Sequence, residues 1–157
     1  MRKIVIVLVG ALLLTACGKN QEQAAKQLAA EARTLLENGD LEGARVATDS
    51  LRRTFPDIVE ARKSVIRLHQ DIELKRAQKE LALTDSILQI ANRELDSLQE
   101  KVEMHKTALQ ATPEELTALT RMKMRRDSIR TQFETLGAKI RYIHQKQKES
   151  GKVENEE

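Results

Sequence analysis

The feature that most constrains the fold is a run of apolar residues that repeats every seven positions in the middle of the chain. The repeating residues are Leu74, Leu81, Leu88, Leu95, Val102 and Leu109, and the intermediate positions hold Ala77, Thr84, Ala91, Leu98 and His105. Steps of three and four residues place them on one face of an α-helix, which is the pattern of a coiled coil. Residues 57 to 111 contain no proline or glycine, so we predict one long helix there.

A second pattern of the same kind follows the sequence Thr112-Pro113-Glu114-Glu115. Proline suits the first position of a helix, and Thr112 and Glu115 have the spacing of a capping box. The pattern then runs through Leu119, Met122, Arg126, Ile129, Phe133, Leu136, Ile140 and Ile143. We therefore predict a long antiparallel helical hairpin over residues 57–148, with its turn near 111–113. The alternative is a parallel oligomer of one long rod, which does not account for a helix cap at Thr112.

Folding the chain at Thr112 fixes which residues should face each other. This register places Val102 opposite Met122 and pairs most apolar positions with apolar ones. Two pairs are mixed, Leu98 with Arg126 and His105 with Leu119.

The composition agrees with long helices. Aromatic residues make up only 2% of the chain and charged residues 32%, and there are only two prolines and six glycines. Such a composition is typical of coiled coils, whereas an enzyme with a buried pocket usually contains more aromatic and β-branched residues. The expected fold class is all-α: a short helix pair followed by the long antiparallel coiled-coil hairpin.

Residues 25–56 carry the signals of that helix pair. Asn38-Gly39-Asp40 should end one helix and cap the next, and the second helix should end before Pro56. With Leu28 at an early large position, Ala44 at a close helix contact and Pro56 at the end, the pair resembles one tetratricopeptide (TPR) repeat. Ala32 departs from that pattern, because the family has a glycine there. A plain helical hairpin with the same turn is the alternative.

The first 17 residues have the layout of a secretory signal. Arg2 and Lys3 precede an apolar run from Ile4 to Leu14, which is too short to remain as a membrane span, and Thr15-Ala16 lead to Cys17. Cys17 is the only cysteine, so it has no disulfide partner in the chain. Removal of residues 1–16 from the 157 would leave 141, a length typical of one domain.

Leu14-Thr15-Ala16-Cys17 resembles the lipobox of bacterial lipoproteins. The resemblance implies a signal peptide over residues 1–16, acyl chains (diacylglyceryl and palmitate-type) on Cys17, and a lipidated tether over 17–24. Gly18 in place of aspartate implies the outer membrane, with the protein facing the periplasm. Together with repeated Asp-Ser-Leu sequences, the chain resembles helical envelope lipoproteins of Bacteroidota. We expect residues 149–157 to form a disordered polar tail.

The candidate contact residues lie in the second half of the hairpin. Residues 121–148 hold nine basic and two acidic residues, whereas residues 71–104 hold eight acidic and five basic ones. The cluster near the predicted turn consists of Arg121, Lys123, Arg125, Arg126 and Arg130. It could bind an anionic surface or an acidic partner, or it could simply complement the more acidic first helix.

No other group of residues indicates chemistry. His69, His105 and His144 lack the spacing of a helical metal pair, so we predict no metal site. The Asp-Ser pairs lack a histidine placed by a pocket, so we predict no catalytic residues, no cofactor and no small-molecule substrate. The net charge of +3 falls to about +1 without Arg2 and Lys3, which gives no argument for nucleic acid.

These patterns predict a lipid-anchored scaffold or adaptor of the cell envelope that acts through helix-mediated protein contacts. A periplasmic holdase chaperone with coiled-coil arms is the alternative. The predicted partner is an envelope protein that the sequence does not identify. The sequence is also compatible with a homo-oligomer.

Overall fold

The structure, a computed structural model, describes the helices of residues 2–154 and the side chains of residues 20–151. In that part the chain forms four helices and no strand: α1 (Arg2–Glu37), α2 (Leu41–Thr54), α3 (Val59–Thr107) and α4 (Pro113–Glu154). The predicted all-α class is therefore confirmed. The chain divides into two compact units, residues 1–75 and residues 76–157.

The first unit is built from α1, α2 and the first turns of α3. Its buried core is formed by Ala25, Ala32, Leu36, Ala44, Ala47, Thr48, Leu51, Ala61, Val65, Leu68 and Ile72. Ala32 and Ala44 have no exposed surface, as expected where helices pack closely. Among the apolar residues in the first turns of α3, Val65 and Leu68 are buried, whereas Val59 and Ile66 are about half exposed.

The connection between α1 and α2 follows the local sequence. Gly39 has a φ of 84°, its amide donates to the Leu36 carbonyl, and the Asp40 amide donates to the Leu35 carbonyl. This is a Schellman ending, in which glycine takes the left-handed position at no steric cost. Asp40 then accepts a 2.9 Å hydrogen bond from the Gly43 amide and caps α2. Both predictions for this turn are confirmed.

The second unit is the hairpin of α4 with the rest of α3. Apart from Leu109, which is exposed, the predicted seam positions are buried or half-buried, and most positions between them are exposed. Leu95, Val102 and Leu119 form a buried cluster against which Leu98 and Met122 pack. The two long helices therefore pack against each other along the predicted faces.

The turn between α3 and α4 differs from the expectation in its position. α3 ends at Thr107 instead of Ala111, because Leu109 takes a left-handed φ of 57°. The Leu109 amide donates to the Lys106 carbonyl and the Gln110 amide to the His105 carbonyl, which is a second Schellman ending. The loop therefore precedes Thr112, and His105 contacts Glu115 instead of a residue near Leu119. The register that the sequence predicted was wrong by about one helical turn.

Two helix ends also lie outside the predicted boundaries. α4 ends at Glu154 rather than at 148, and Glu149 supports the extra turn through a 2.8 Å contact with Lys146. α1 begins at Arg2, whereas the sequence predicted a tether over residues 17–24 and the helix pair from residue 25. Residues 1–16, proposed as the signal peptide, and Cys17 lie outside the described side chains.

Candidate functional site

The ends of the α3–α4 connection are held together by one carboxylate. Glu115 accepts from the Thr112 amide at 3.3 Å, and the Glu115 amide donates to Thr112 Oγ1 at 3.3 Å, which confirms the predicted capping box. The same carboxylate lies 2.8 Å from His105 Nδ1 and 3.6 Å from Lys101 Nζ on α3. These contacts lower the pKa of Glu115, the hydrogen bond from His105 being the largest cause. The charged form of Glu115 therefore fixes the geometry of the loop.

The loop carries an unusual apolar residue. Leu109 is 95% exposed and left-handed, although a leucine pays a steric cost in that conformation. Met104 in the last turn of α3 and Leu116 in the first turns of α4 are also exposed. We call Met104, Leu109 and Leu116 the loop surface. Leu109 continues the heptad pattern, so the sequence predicted it in the seam and not on the surface.

Three of the five predicted basic contact residues are engaged within the hairpin. Arg125 lies 3.8 Å from Glu94 of α3, and Arg130 contacts Asp127 at 3.4 Å. Arg126 occupies a seam position, where its Nε is buried 2.8 Å from Asp127 Oδ1. These contacts agree with the second interpretation of the basic helix, in which its charges are neutralised by acidic residues of the same chain.

The other two basic residues face solvent. Arg121 and Lys123 are exposed, and neither has an ion-pair partner among the side chains of residues 20–151. Arg121 borders a shallow groove of about 280 Å³ that Pro113, Glu114, Thr117 and Ala118 complete. Fewer unpaired basic residues therefore lie near the loop than the sequence suggested. Arg121 is the first of them along α4.

A second apolar surface runs along α3 beside the seam. Leu83, Ile87 and Ile90 are 60%, 49% and 47% exposed, and their spacing of four and three residues places them on one side of the helix. We call these three residues the α3 flank. A groove of about 500 Å³ begins at Leu83 and is lined by Glu80 and Thr84 of α3 and Thr131, Gln132, Thr135 and Leu136 of α4. The spacing of Leu83, Ile87 and Ile90 in the sequence is the signal that could have predicted this flank.

The first unit contains a smaller groove between α1 and the start of α3. It measures about 260 Å³, and its apolar floor includes Ala25, Ala29 and Ala61. Charged residues such as Lys26, Arg33 and Glu60 surround this floor.

His69 and two of the Asp-Ser pairs have local partners. His69 Nε2 lies 3.7 Å from Asp49 Oδ1, and the Ser50 and Ser86 hydroxyls donate to carbonyls one turn earlier in their own helices. In the part of the chain that the structure describes, no group of three or more His, Cys, Asp or Glu residues could hold a metal ion. Within the same part, no helix is long and apolar enough to cross a membrane.

A scan against protein-family models, a search of curated proteins and a search of solved structures found no match to this chain. The resemblances to a TPR repeat and to bacterial lipoproteins therefore stay predictions from the sequence.

Proposed function

We propose that this protein is a lipid-anchored scaffold or adaptor of the bacterial cell envelope, which binds a protein partner through the loop surface of its α3–α4 hairpin. Its anchor is the acylated Cys17, and its location is the outer membrane facing the periplasm. The support for the anchor is the sequence Leu14-Thr15-Ala16-Cys17 behind an apolar run.

The observation that carries the proposal is Leu109. A leucine here is left-handed and 95% exposed, so the chain accepts both a strained backbone and an unburied apolar side chain at one position. Glycine would give the same turn without either cost. A partner that buries Leu109 would account for the choice of leucine. Glu115 contacts His105 on α3 and the Thr112 amide at the start of α4. These contacts hold the loop, and Leu109 within it, in place before a partner binds.

The charges near the loop suggest the chemistry of the partner. Arg121 and Lys123 are exposed and lack ion-pair partners among the described side chains. A protein with an apolar pocket for Leu109 and acidic residues on its rim would complement this end of the hairpin.

Photo-cross-linking in cells tests the contact. A photoreactive residue at position 109 should give a discrete adduct with one envelope protein, identified by mass spectrometry. The same residue at position 148, an exposed site distant along α4, is the matched control and should not give that adduct. Equal adducts from both positions, or none from 109, would refute the loop contact.

The anchor has a separate test. Cys17→Ala should abolish labelling by a fatty-acid analogue and release the protein from membranes. Unchanged membrane retention of the variant would contradict the lipid anchor while leaving the loop contact open to its own test.

The holdase is the second candidate, and the exposed α3 flank favours it. Clients of a holdase bind to accessible apolar surface, and Leu83, Ile87 and Ile90 provide some. However, the main apolar faces of α3 and α4 are used against each other, as at Leu95 and Leu119. A holdase should suppress aggregation of unfolded outer-membrane proteins at stoichiometric amounts. Absence of that activity would remove this candidate.

A further inference from the structure

The α3 flank makes the apolar face of α3 wider than a two-stranded coiled coil requires. A two-stranded seam uses two positions of each heptad, whereas a helix of a larger bundle carries a third apolar position beside them. Leu83, Ile87 and Ile90 occupy such extra positions, next to the seam residues Thr84, Leu88 and Ala91. The pattern of α3 is therefore that of a helix with more than one neighbour.

The seam itself is incompletely covered alongside this flank. Leu88, Phe133 and Leu136 remain half-buried, although they are large apolar residues in the middle of the hairpin. One neighbouring helix shields a seam residue from one direction only. Half-burial of these residues together with exposure of the flank indicates a missing layer on the same side of the hairpin, where the groove of about 500 Å³ lies.

The α4 wall of the groove is less polar than its sequence implies. The Thr135 hydroxyl donates to the Thr131 carbonyl at 2.7 Å, and the Thr131 hydroxyl donates to the Asp127 carbonyl at 3.0 Å. Because each hydroxyl hydrogen is used within the helix, burying these threonines does not leave their donors unsatisfied. This wall can therefore accept an apolar helix.

We propose that a second copy of this chain packs on the α3 flank, so that two hairpins form an antiparallel four-helix bundle. In this arrangement α3 of each copy lies on α4 of the other, with Ile87 and Ile90 against the threonine wall. The proposal concerns self-association and rests neither on the lipid anchor nor on the partner of the loop surface.

Charge complementarity selects a second copy as the occupant. Residues 71–104 of α3 hold eight acidic and five basic residues, and residues 121–148 of α4 hold nine basic and two acidic ones. Within one chain Arg125 lies 3.8 Å from Glu94, whereas Arg121 and Lys123 are exposed and have no ion-pair partner among the described side chains, so one α3 does not neutralise all the basic residues of α4. A two-fold axis parallel to the helices brings the α3 of the second copy, with its acidic excess, onto that basic surface.

The other simple arrangement is disfavoured by the same charges. If α3 packed on α3 around Ile87, Glu80 of each copy would lie opposite Glu94 of the other. Like charges facing each other destabilise an interface. The orientation that places α3 on α4 avoids this repulsion and pairs helices of opposite net charge.

Co-purification of two differently tagged full-length chains, expressed together and extracted in detergent, tests the proposal. Ile87→Lys should reduce the co-purified chain about tenfold or more, since it replaces a buried apolar contact with a cation beside basic α4. Ala82→Lys adds the same charge at an exposed site on the other side of α3 and is the matched control, which should retain co-purification. Circular dichroism of both variants checks that the helices remain.

Cross-linking fixes the orientation. A photoreactive residue at position 90 should join two copies, with the attachment in residues 125–135 of α4. Attachment to α3 of the second copy would overturn the arrangement. Absence of co-purification in the wild-type chain would overturn self-association, and so would equal co-purification of Ile87→Lys, because detergent micelles alone would then explain it. Attachment of residue 90 mainly to unfolded outer-membrane proteins would assign the flank to clients instead.

Discussion

Glu115 and His105 join the two helices of the hairpin at the point where the chain reverses direction. Both carboxylate oxygens lie within 3.0 Å of His105 Nδ1, and one of them also accepts from the Thr112 amide. A carboxylate can only accept, so Nδ1 donates its hydrogen to Glu115. One side chain therefore caps α4 and ties it to α3, which makes the loop conformation depend on the charge of Glu115.

Acid should weaken this tie. The pKa of Glu115 in the folded protein lies below its ordinary value of 4.5, so the unfolded chain binds a proton more readily than the folded one. The stability that Glu115 contributes is complete above that ordinary value and is lost as the pH falls through the lower pKa of the folded state. Glu115→Gln should make the melting temperature less dependent on pH in this range. Thermal melts between pH 3 and 7 provide the measurement, and parallel curves for both proteins would contradict the assignment.

The cap residue itself should have a measurable effect. Thr112→Ala removes the hydroxyl that accepts from the Glu115 amide, and loss of such an N-cap costs about 1 kcal/mol of the free energy of unfolding. Thr120→Ala is the control, because Thr120 is exposed within α4 and its hydroxyl only bonds to its own helix. Urea denaturation should separate the two variants. Equal stability of both would show that the capping box does not hold the loop.

In the first unit, Leu51 should be the most sensitive large side chain of α2. It is fully buried between helices, so Leu51→Ala should lower the free energy of unfolding by about 2–5 kcal/mol. Val46→Ala on the exposed side of the same helix should change it by about 0.5 kcal/mol or less. Urea denaturation followed by circular dichroism compares them. A similar loss in both variants would contradict the packing of α2.

The elements that sequence predicted well are those with strong local chemistry. Gly39 supplies a left-handed residue and Asp40 a cap, and both act as the sequence indicated. Thr112 and Glu115 form the expected reciprocal bonds. The heptad pattern identified the buried faces of α3 and α4, because period alone decides which residues share a face.

The end of α3 could not be predicted, because Leu109 offers no signal for the left-handed conformation that it adopts. Its place in the heptad pattern suggested that the helix continued, and the register was wrong by a turn as a result. The roles of the basic residues could not be predicted either, because they depend on contacts between side chains. The Nε of Arg126 is buried beside Asp127, whereas Arg121 is exposed, a difference that charge counts do not contain.

Leu109→Gly tests the central claim, which is that this leucine is retained for contact with a partner. Glycine relieves the left-handed strain and Leu109 buries almost no surface, so the variant should gain about 1 kcal/mol in the free energy of unfolding. Leu109→Ala keeps the strain and should gain nothing.

The decisive measurement is in-cell cross-linking from a photoreactive residue at position 114, beside the loop, in wild-type and Leu109→Gly backgrounds. We expect the partner adduct to fall about tenfold or more in the variant, while its folded state becomes more stable. An adduct that is undiminished in the more stable variant would contradict a partner-binding role for Leu109.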